Sequence, residues 1–427
     1  MLRAALLLAA GAAALYLGAC AARYAAMLRF RSRIGRELRA YLRAEGGRAR
    51  AEPAAGPAAG ALRPRRGIVI CAGGRALLSQ AWLTLDALRG LHGSRLPVEL
   101  VHRGDAELPP ACRERFEREF APLRCLDALR AEPPPGSGAL PRDAGHALKP
   151  FALLASSFDE ILLLDADCVP LREPSPLFDA PAYGASGNLF WSDALLLSVA
   201  VEHPHPLRRF ALRDGNARSS AQSVNPRIFD LLGLPRPATL ARVGHETEAG
   251  QLLVDRARVL PALRATWFLN ARARWLYRYL HGDKDSYRLG FAAAGLPFEQ
   301  IERAPAHAGV VRGGRFLGRA FVQPWPGGGS GFLHQVARKP HVDRAWQPLT
   351  HLTRAEAALH PRRRSERGCT LPAAASALPD LGALPPELEK LERFLARSHR
   401  SLVARAAELG LPAPPRRRLV ERRLLPW

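Results

Sequence analysis

The chain has 427 residues, 48% of them apolar and 24% charged, the composition of a globular protein with room for one large domain and appendages. A formal net charge of +23 is that of a nucleic-acid binder, but the basic residues are almost all arginine and are spread along an Ala-, Pro- and Gly-rich sequence, whereas a nucleic-acid footprint needs them clustered. Against that background only Lys149, Lys284, Lys339 and Lys390 occur; lysine is a compact point charge where arginine is a planar fork, so the first three, which fall in the motifs described below, mark sites where a fork would not serve.

In chain order, Ala4 to Ala22 is free of charge and lies between Arg3 and Arg23. About 20 apolar residues span a bilayer as a helix, so residues 1–22 read as a signal anchor, with a cleaved signal peptide as the rival because GACAA offers small residues for cleavage. Arg23, Arg29, Arg31 and Arg33 follow the segment and only Arg3 precedes it, a pattern that by itself would hold the C-terminal bulk in the cytosol. Residues 23–64, ending in AEPAAGPAAGALRPRR, read as a stem that buries little. Beyond it stand Cys71, Cys112, Cys125, Cys168 and Cys369, an odd set in which Cys112 and Cys125 bracket an amphipathic stretch and could be bridged in an oxidising lumen. No Cys or His spacing suits structural zinc.

The folded part opens with GIVICAGG, a β-branched run closed by glycines, and ALLSQAWLTLDALRGL, apolar at helical spacing. VELVHR, CRERFEREF and LRCLDAL continue as strand, helix and strand; HALKPFALLASSF is a further helix that leads into DEILLLDADCVPL. Strands alternating with helices predict right-handed crossovers and a largely parallel sheet. The continuous apolar run Ile161 to Leu164 suits its centre, and ligands bind at the carboxyl ends of such strands. That run ends in Asp165 and Asp167. If the strand stops at the first, the turn can bring both carboxylates to one centre, where hard oxygen ligands suit Mg²⁺ or Mn²⁺ beside nucleotide phosphates.

The run LKPFALLASSFDEILLLDADCVPLREPSPLF, followed by FWSDA, HETEAGQLLVD, GDKDSYR and QPWPGGGSGFLH, resembles the fungal α-1,3-mannosyltransferase family of the Mnn1 type. The motifs keep the family's order from Gly67 to Lys339. One departure is Cys168, where the family often has Asn. The resemblance implies an α/β GT-A fold, Rossmann-like with a mostly parallel central sheet, over residues 65–345, and leaves 346–427 as a helical, Pro- and Arg-rich extension. It also implies a type II Golgi membrane protein with a lumenal catalytic domain, which transfers α-mannose from GDP-mannose with retention onto a glycan of glycoproteins or glycolipids, using Mn²⁺ or Mg²⁺.

By the same resemblance Asp165, Asp167 and His334 hold the metal, imidazole suiting Mn²⁺ better than Mg²⁺. Gly73, Lys149, Asp165, Gly331 and Lys339 would bind the nucleotide sugar, the lysines offsetting charge on the leaving diphosphate. Trp191, Asp193, Glu246, Lys284 and Asp285 would contact the sugars. Glu248 or Gln251 would lie near the anomeric carbon, and the catalytic candidate Asp283, with Lys284 and Asp285, would orient donor or acceptor hydroxyls. More distantly the pattern is similar to glycogenin-like retaining transferases, in which a late His completes the metal site; a UDP-sugar donor is therefore one alternative, and a non-catalytic carbohydrate- or nucleic-acid-binding membrane protein is another.

Overall fold

A computed structural model of the chain describes residues 16, 18, 33–46, 65–142, 145–196, 227–234, 245–277, 280, 282–354, 372–378 and 380–412. The predicted anchor, apart from residues 16 and 18, lies outside them. No helix among the described residues is long and apolar enough to cross a membrane.

Two sheets make the frame. The first contains β1 (Arg66–Cys71), β2 (Val98–His102), β3 (Leu123–Asp127), β4 (Glu160–Asp165), β6 (Asn188–Leu196), β7 (His245–Asp255) and β8 (Gln300–Ile301), in the order β3-β2-β1-β4-β7-β6-β8. β3, β2, β1 and β4 pair in parallel, whereas β7 runs antiparallel to both β4 and β6. The parallel half is built as expected, by strand–helix alternation through α2 (Gly74–Asp86), α3 (Pro110–Glu119) and α4 (Leu148–Ala155). β4 is buried on both faces: Leu162 and Leu164 enter one core with α2 and α3, and Ile161 and Leu163 enter the other with α4 and the helices Arg256–Asn270 and Ser286–Ala294. This is the two-residue period of a strand covered on both sides.

The second sheet is not expected from the sequence. It is antiparallel, with the order β14-β12-β9-β10-β11-β5, from β5 (Cys168–Pro170), β9 (Ala306–Arg312), β10 (Arg315–Pro324), β11 (Ser330–His334), β12 (His351–Thr353) and β14 (Gly382–Ala383); β13 (Pro372–Ala374) pairs with β10. β4 and β5 are consecutive, so the chain crosses from the first sheet to the second through Ala166 and Asp167.

Both expected appendages contribute to the core. Residues 33–46, read as stem, form a helix, α1, whose Ile34, Leu38 and Tyr41 are buried, with Tyr41 stacked on Phe268 at 4.9 Å. In the C-terminal extension, the helix Pro386–Ala404 buries Leu388, Leu391, Leu395 and Leu402 in the same core as α2. Cys112 and Cys125 are free thiols, and Cys112 is enclosed in that core, so the suggested bridge is not formed.

Candidate active site

The acidic pair lies at the crossing between the sheets. β4 ends at Asp165, and the turn through Ala166 and Asp167 is pinned from two sides: Thr84 Oγ1 of α2 donates to Ala166 O at 2.7 Å, and Gln335 N donates to Asp167 O at 3.0 Å. β5 then pairs antiparallel with β11 in a register that sets His334 opposite Cys168. In this way a histidine far along the chain reaches the carboxylates. Its Nε2 is 3.5 Å from Asp167 Oδ1 and 3.9 Å from Asp165 Oδ2, and ligand atoms of all three residues lie within 4.8 Å of one another. Two carboxylate oxygens and one imidazole nitrogen, with Asp167 and His334 buried, form a donor set that suits a divalent ion such as Mn²⁺.

Three of the four lysines converge on the surrounding carboxylates. Lys149 Nζ is 2.7 Å from Asp165 Oδ1 and 3.6 Å from Asp283 Oδ1, and donates to Ala249 O at 2.9 Å. Lys339 pairs with Asp167, and Lys284 pairs with Asp193 and lies 3.7 Å from Glu248 Oε2. Burial opposes charge on Lys149 and Lys284, but the facing carboxylates outweigh it and raise both pKa values. The reverse holds for the acids. Burial alone would raise Asp167 and Glu248; Lys339 and His334 hold Asp167, and Lys284 and His334 hold Glu248, well below the usual carboxylate range.

Glu248 is on β7, beside β4. Its Oε1 accepts from the backbone N–H of Ala249 and of Gly250, both at 2.8 Å, and its Oε2 is 3.7 Å from His334 Nδ1. Gln251, also on β7, accepts from Cys168 Sγ at 3.2 Å, so Cys168 ties the acidic turn to this strand. Asp283 joins the cluster through Lys149 and accepts from Tyr287 OH at 3.2 Å; burial raises its pKa. Glu246 is buried on β7 within electrostatic reach of Lys284.

Four expected residues are engaged differently. Trp191 is fully buried, donates Nε1–H to Pro324 O at 2.7 Å and meets Phe332 edge-on, so its ring is core and presents no face to a sugar. Asp285 lies under β7, bound by Arg288 and by Thr247 N, both at 3.2 Å, as a buried anchor and not as a hydroxyl contact. Gly331 backs onto Pro324 and Trp325 of its own hairpin, where an added Cβ would be 2.9 Å from Pro324 O. Gly73, before α2, leaves room for the Glu107 carboxylate.

Gly250 was not singled out from the sequence. A Cβ there would lie 2.7 Å from the His334 ring, so this glycine makes the space that His334 occupies. Its position between Glu248 and Gln251 is the one signal that could have drawn attention to it.

A family model, Mannosyl_trans3, described as "Mannosyltransferase putative", matches residues 65–316. Alpha-1,2-mannosyltransferase MNN2 of Saccharomyces cerevisiae is 27% identical over 283 residues, covering 60% of this chain and 45% of the relative. Alpha-1,3-mannosyltransferase MNT3 of the same organism is 29% identical over 167 residues, covering 34% and 25%. The chain thus spans about half the length of the first of these curated relatives, and the relatives' names carry both linkages. Among solved structures, the glycosyltransferase GlyE of Streptococcus pneumoniae is a partial likeness, at 14% identity and TM-score 0.33 over 56% of this chain and 45% of that one.

Proposed function

The chain belongs to this mannosyltransferase family, and from that premise we propose that it is a metal-dependent glycosyltransferase that moves α-mannose from GDP-mannose, with retention, onto a glycan of glycoproteins or glycolipids. The observation that carries the reading is the convergence of Asp165, Asp167 and His334 with Lys149, Lys284 and Lys339 at the carboxyl end of β4. A parallel half-sheet with an antiparallel second sheet joined at the acidic turn supports a GT-A fold. The residues fit a divalent ion: Asp165, Asp167 and His334 would hold it, and it would supply a positive centre that neutralises a leaving diphosphate.

In the proposed transfer, the bond from the anomeric carbon to the donor's phosphate oxygen breaks and its electron pair leaves with the diphosphate. The acceptor hydroxyl oxygen bonds to the same face of that carbon, and its proton passes to the departing phosphate oxygen. Lys339 and Lys149 would face the negative charge that grows on the diphosphate, and Lys149 would do so from a buried setting that strengthens its effect. Glu248, ionised and fixed by two backbone N–H groups, is the better placed of the two β7 residues to face positive charge on the anomeric carbon. Gln251 is neutral and held by Cys168. Asp193 and Lys284 would orient sugar hydroxyls. We place the domain in the Golgi lumen behind the anchor 1–22; protease protection of the domain in sealed microsomes tests that topology.

The deciding experiment is donor consumption with GDP-mannose, UDP-glucose, UDP-galactose and UDP-xylose, each with Mn²⁺ and with EDTA. Mn²⁺-dependent use of GDP-mannose is expected. Preference for a UDP-sugar would replace the donor assignment, and glycan binding without consumption of any donor would replace the enzyme reading.

A further inference from the structure

Lys339 is held in an unusual way. With φ +41° it is the one non-glycine residue at positive φ among the described residues, a conformation that side-chain-bearing residues rarely adopt, and Pro340 follows it and narrows its choices further. The neighbouring backbone is tied at several points: Gln335 N to Asp167 O at 3.0 Å, Ala337 N and Arg338 N to Arg319 O at 3.0 and 3.1 Å, and Lys339 N to Gln335 O at 3.3 Å. These bonds set the path of the segment. What closes it against the rest of the molecule is the side chain next door.

Arg338 points away from the site and is 2% exposed. Its Nε donates to Gln335 Oε1 at 2.8 Å, its Nη1 donates to Glu392 Oε1 and Oε2 at 2.8 and 2.7 Å, and the guanidinium lies 4.3 Å from the centre of the Trp346 ring. Glu392 is further fixed by Trp346 Nε1 at 3.0 Å and by Leu349 N at 3.2 Å. It belongs to the C-terminal helix Pro386–Ala404, which lies outside the matched family region and is anchored in the α2 core by its leucines. The same helix reaches the segment a second time, where His399 Nε2 and His341 O are 3.1 Å apart.

We infer that the C-terminal helix acts as a backstop for the donor site, with Glu392 a positioning residue that works through Arg338 to hold Lys339 in its strained conformation against Asp167. This rests on the proposed function in that the ligand Lys339 serves is taken to be a nucleoside diphosphate. A buried arginine–glutamate pair adds little net stability over apolar residues of similar size, but losing one partner leaves an uncompensated charge. The informative variant therefore removes both charges, Arg338→Met with Glu392→Gln, whose amide oxygen keeps the bonds from Trp346 Nε1 and Leu349 N, beside the conservative Glu392→Asp.

The measurement is GDP binding by the full chain with Mn²⁺ present, by calorimetry, together with thermal unfolding and the donor KM and kcat. The double variant is expected to unfold near the parent temperature yet bind GDP roughly tenfold more weakly, the scale of one charge-assisted contact, with KM rising more than kcat falls; Glu392→Asp should recover part of the loss. In a Lys339→Ala background the same double change should cost no further affinity, because its effect passes through that lysine. Unchanged GDP affinity in the double variant, or a loss that persists in full in the Lys339→Ala background, overturns the positioning role alone. Absence of GDP and UDP binding by the parent chain overturns both this inference and the donor reading on which it rests.

Discussion

Gly250 and His334 show how two residues 84 positions apart can form one feature: the imidazole occupies the volume where a Cβ at Gly250 would stand, 2.7 Å from the ring. Gly250→Ala should therefore push His334 out of line and weaken Mn²⁺ binding by roughly 10–100-fold, the usual cost of disturbing a ligand's support, with circular dichroism unchanged; an unaltered Mn²⁺ titration would refute the assigned role. Asp167→Ala should reduce transfer by at least about a hundredfold and leave the protein folded, because the half-exposed Lys339 can turn to solvent and His334 keeps Glu248 as a partner. Full turnover in that variant would remove the site from consideration. At this scale the charged residues were legible because their types are restrictive: carboxylates at a strand end, and lysines kept among arginines. Trp191 was not, since an indole serves equally well to stack on a sugar or to fill a core, and burial decides between them. Gly250 was not, because its reason is a side chain that only the folded chain brings near.

Strands β1 to β4 and their helices were readable because each carries its own pattern, a buried apolar run or a helical stripe, and each packs on near neighbours in sequence. β7 was harder. Its N-terminal half carries Glu246 and Glu248, which suit a buried strand only once lysines from distant segments meet them. The second sheet left little local trace, since β5, β12 and β14 are two or three residues long and β5 finds its partner in β11. That sheet also carries a pH liability. His307 on β9 is buried, with neither ring nitrogen hydrogen-bonded, and meets Phe321 edge-on; burial lowers its pKa to about 4. A depressed folded-state value means that the unfolded chain takes up the proton first. Stability is thus fully present above about pH 6.5 and is lost as pH falls towards 4, by up to about 3 kcal/mol. His307→Phe should flatten that loss in urea melts at pH 7, 5.5 and 4.5, and an unchanged pH dependence would show that another group is responsible.

The whole molecule is larger than the family region suggests. The core that supports β4 includes Leu388, Leu391, Leu395 and Leu402 of the C-terminal helix, each worth about 1.5–3 kcal/mol when fully buried, against a typical net stability of about 5–15 kcal/mol. A chain ending at residue 385 should accordingly fail to give a cooperative melt and should elute as aggregate in size exclusion; a sharp transition near the parent temperature would show the helix to be dispensable. The composition hid this, because an Ala-, Arg- and Pro-rich tail looks solvated until its leucines are placed. A last consequence follows from the crossing of the chain between its two sheets. Asp165 ends β4 of one sheet, Asp167 lies in the turn just before β5 of the other, and His334 ends β11 of that second sheet, so an occupant of the site spans the seam of the molecule. Occupancy would then work as a rivet: nucleotide at a hundred times its Kd, added to the protein already holding the divalent cation, should add about 2.7 kcal/mol to unfolding, and amide exchange should slow on β5 and β11 as well as at the carboxyl end of β4, across a joint that no single sheet secures.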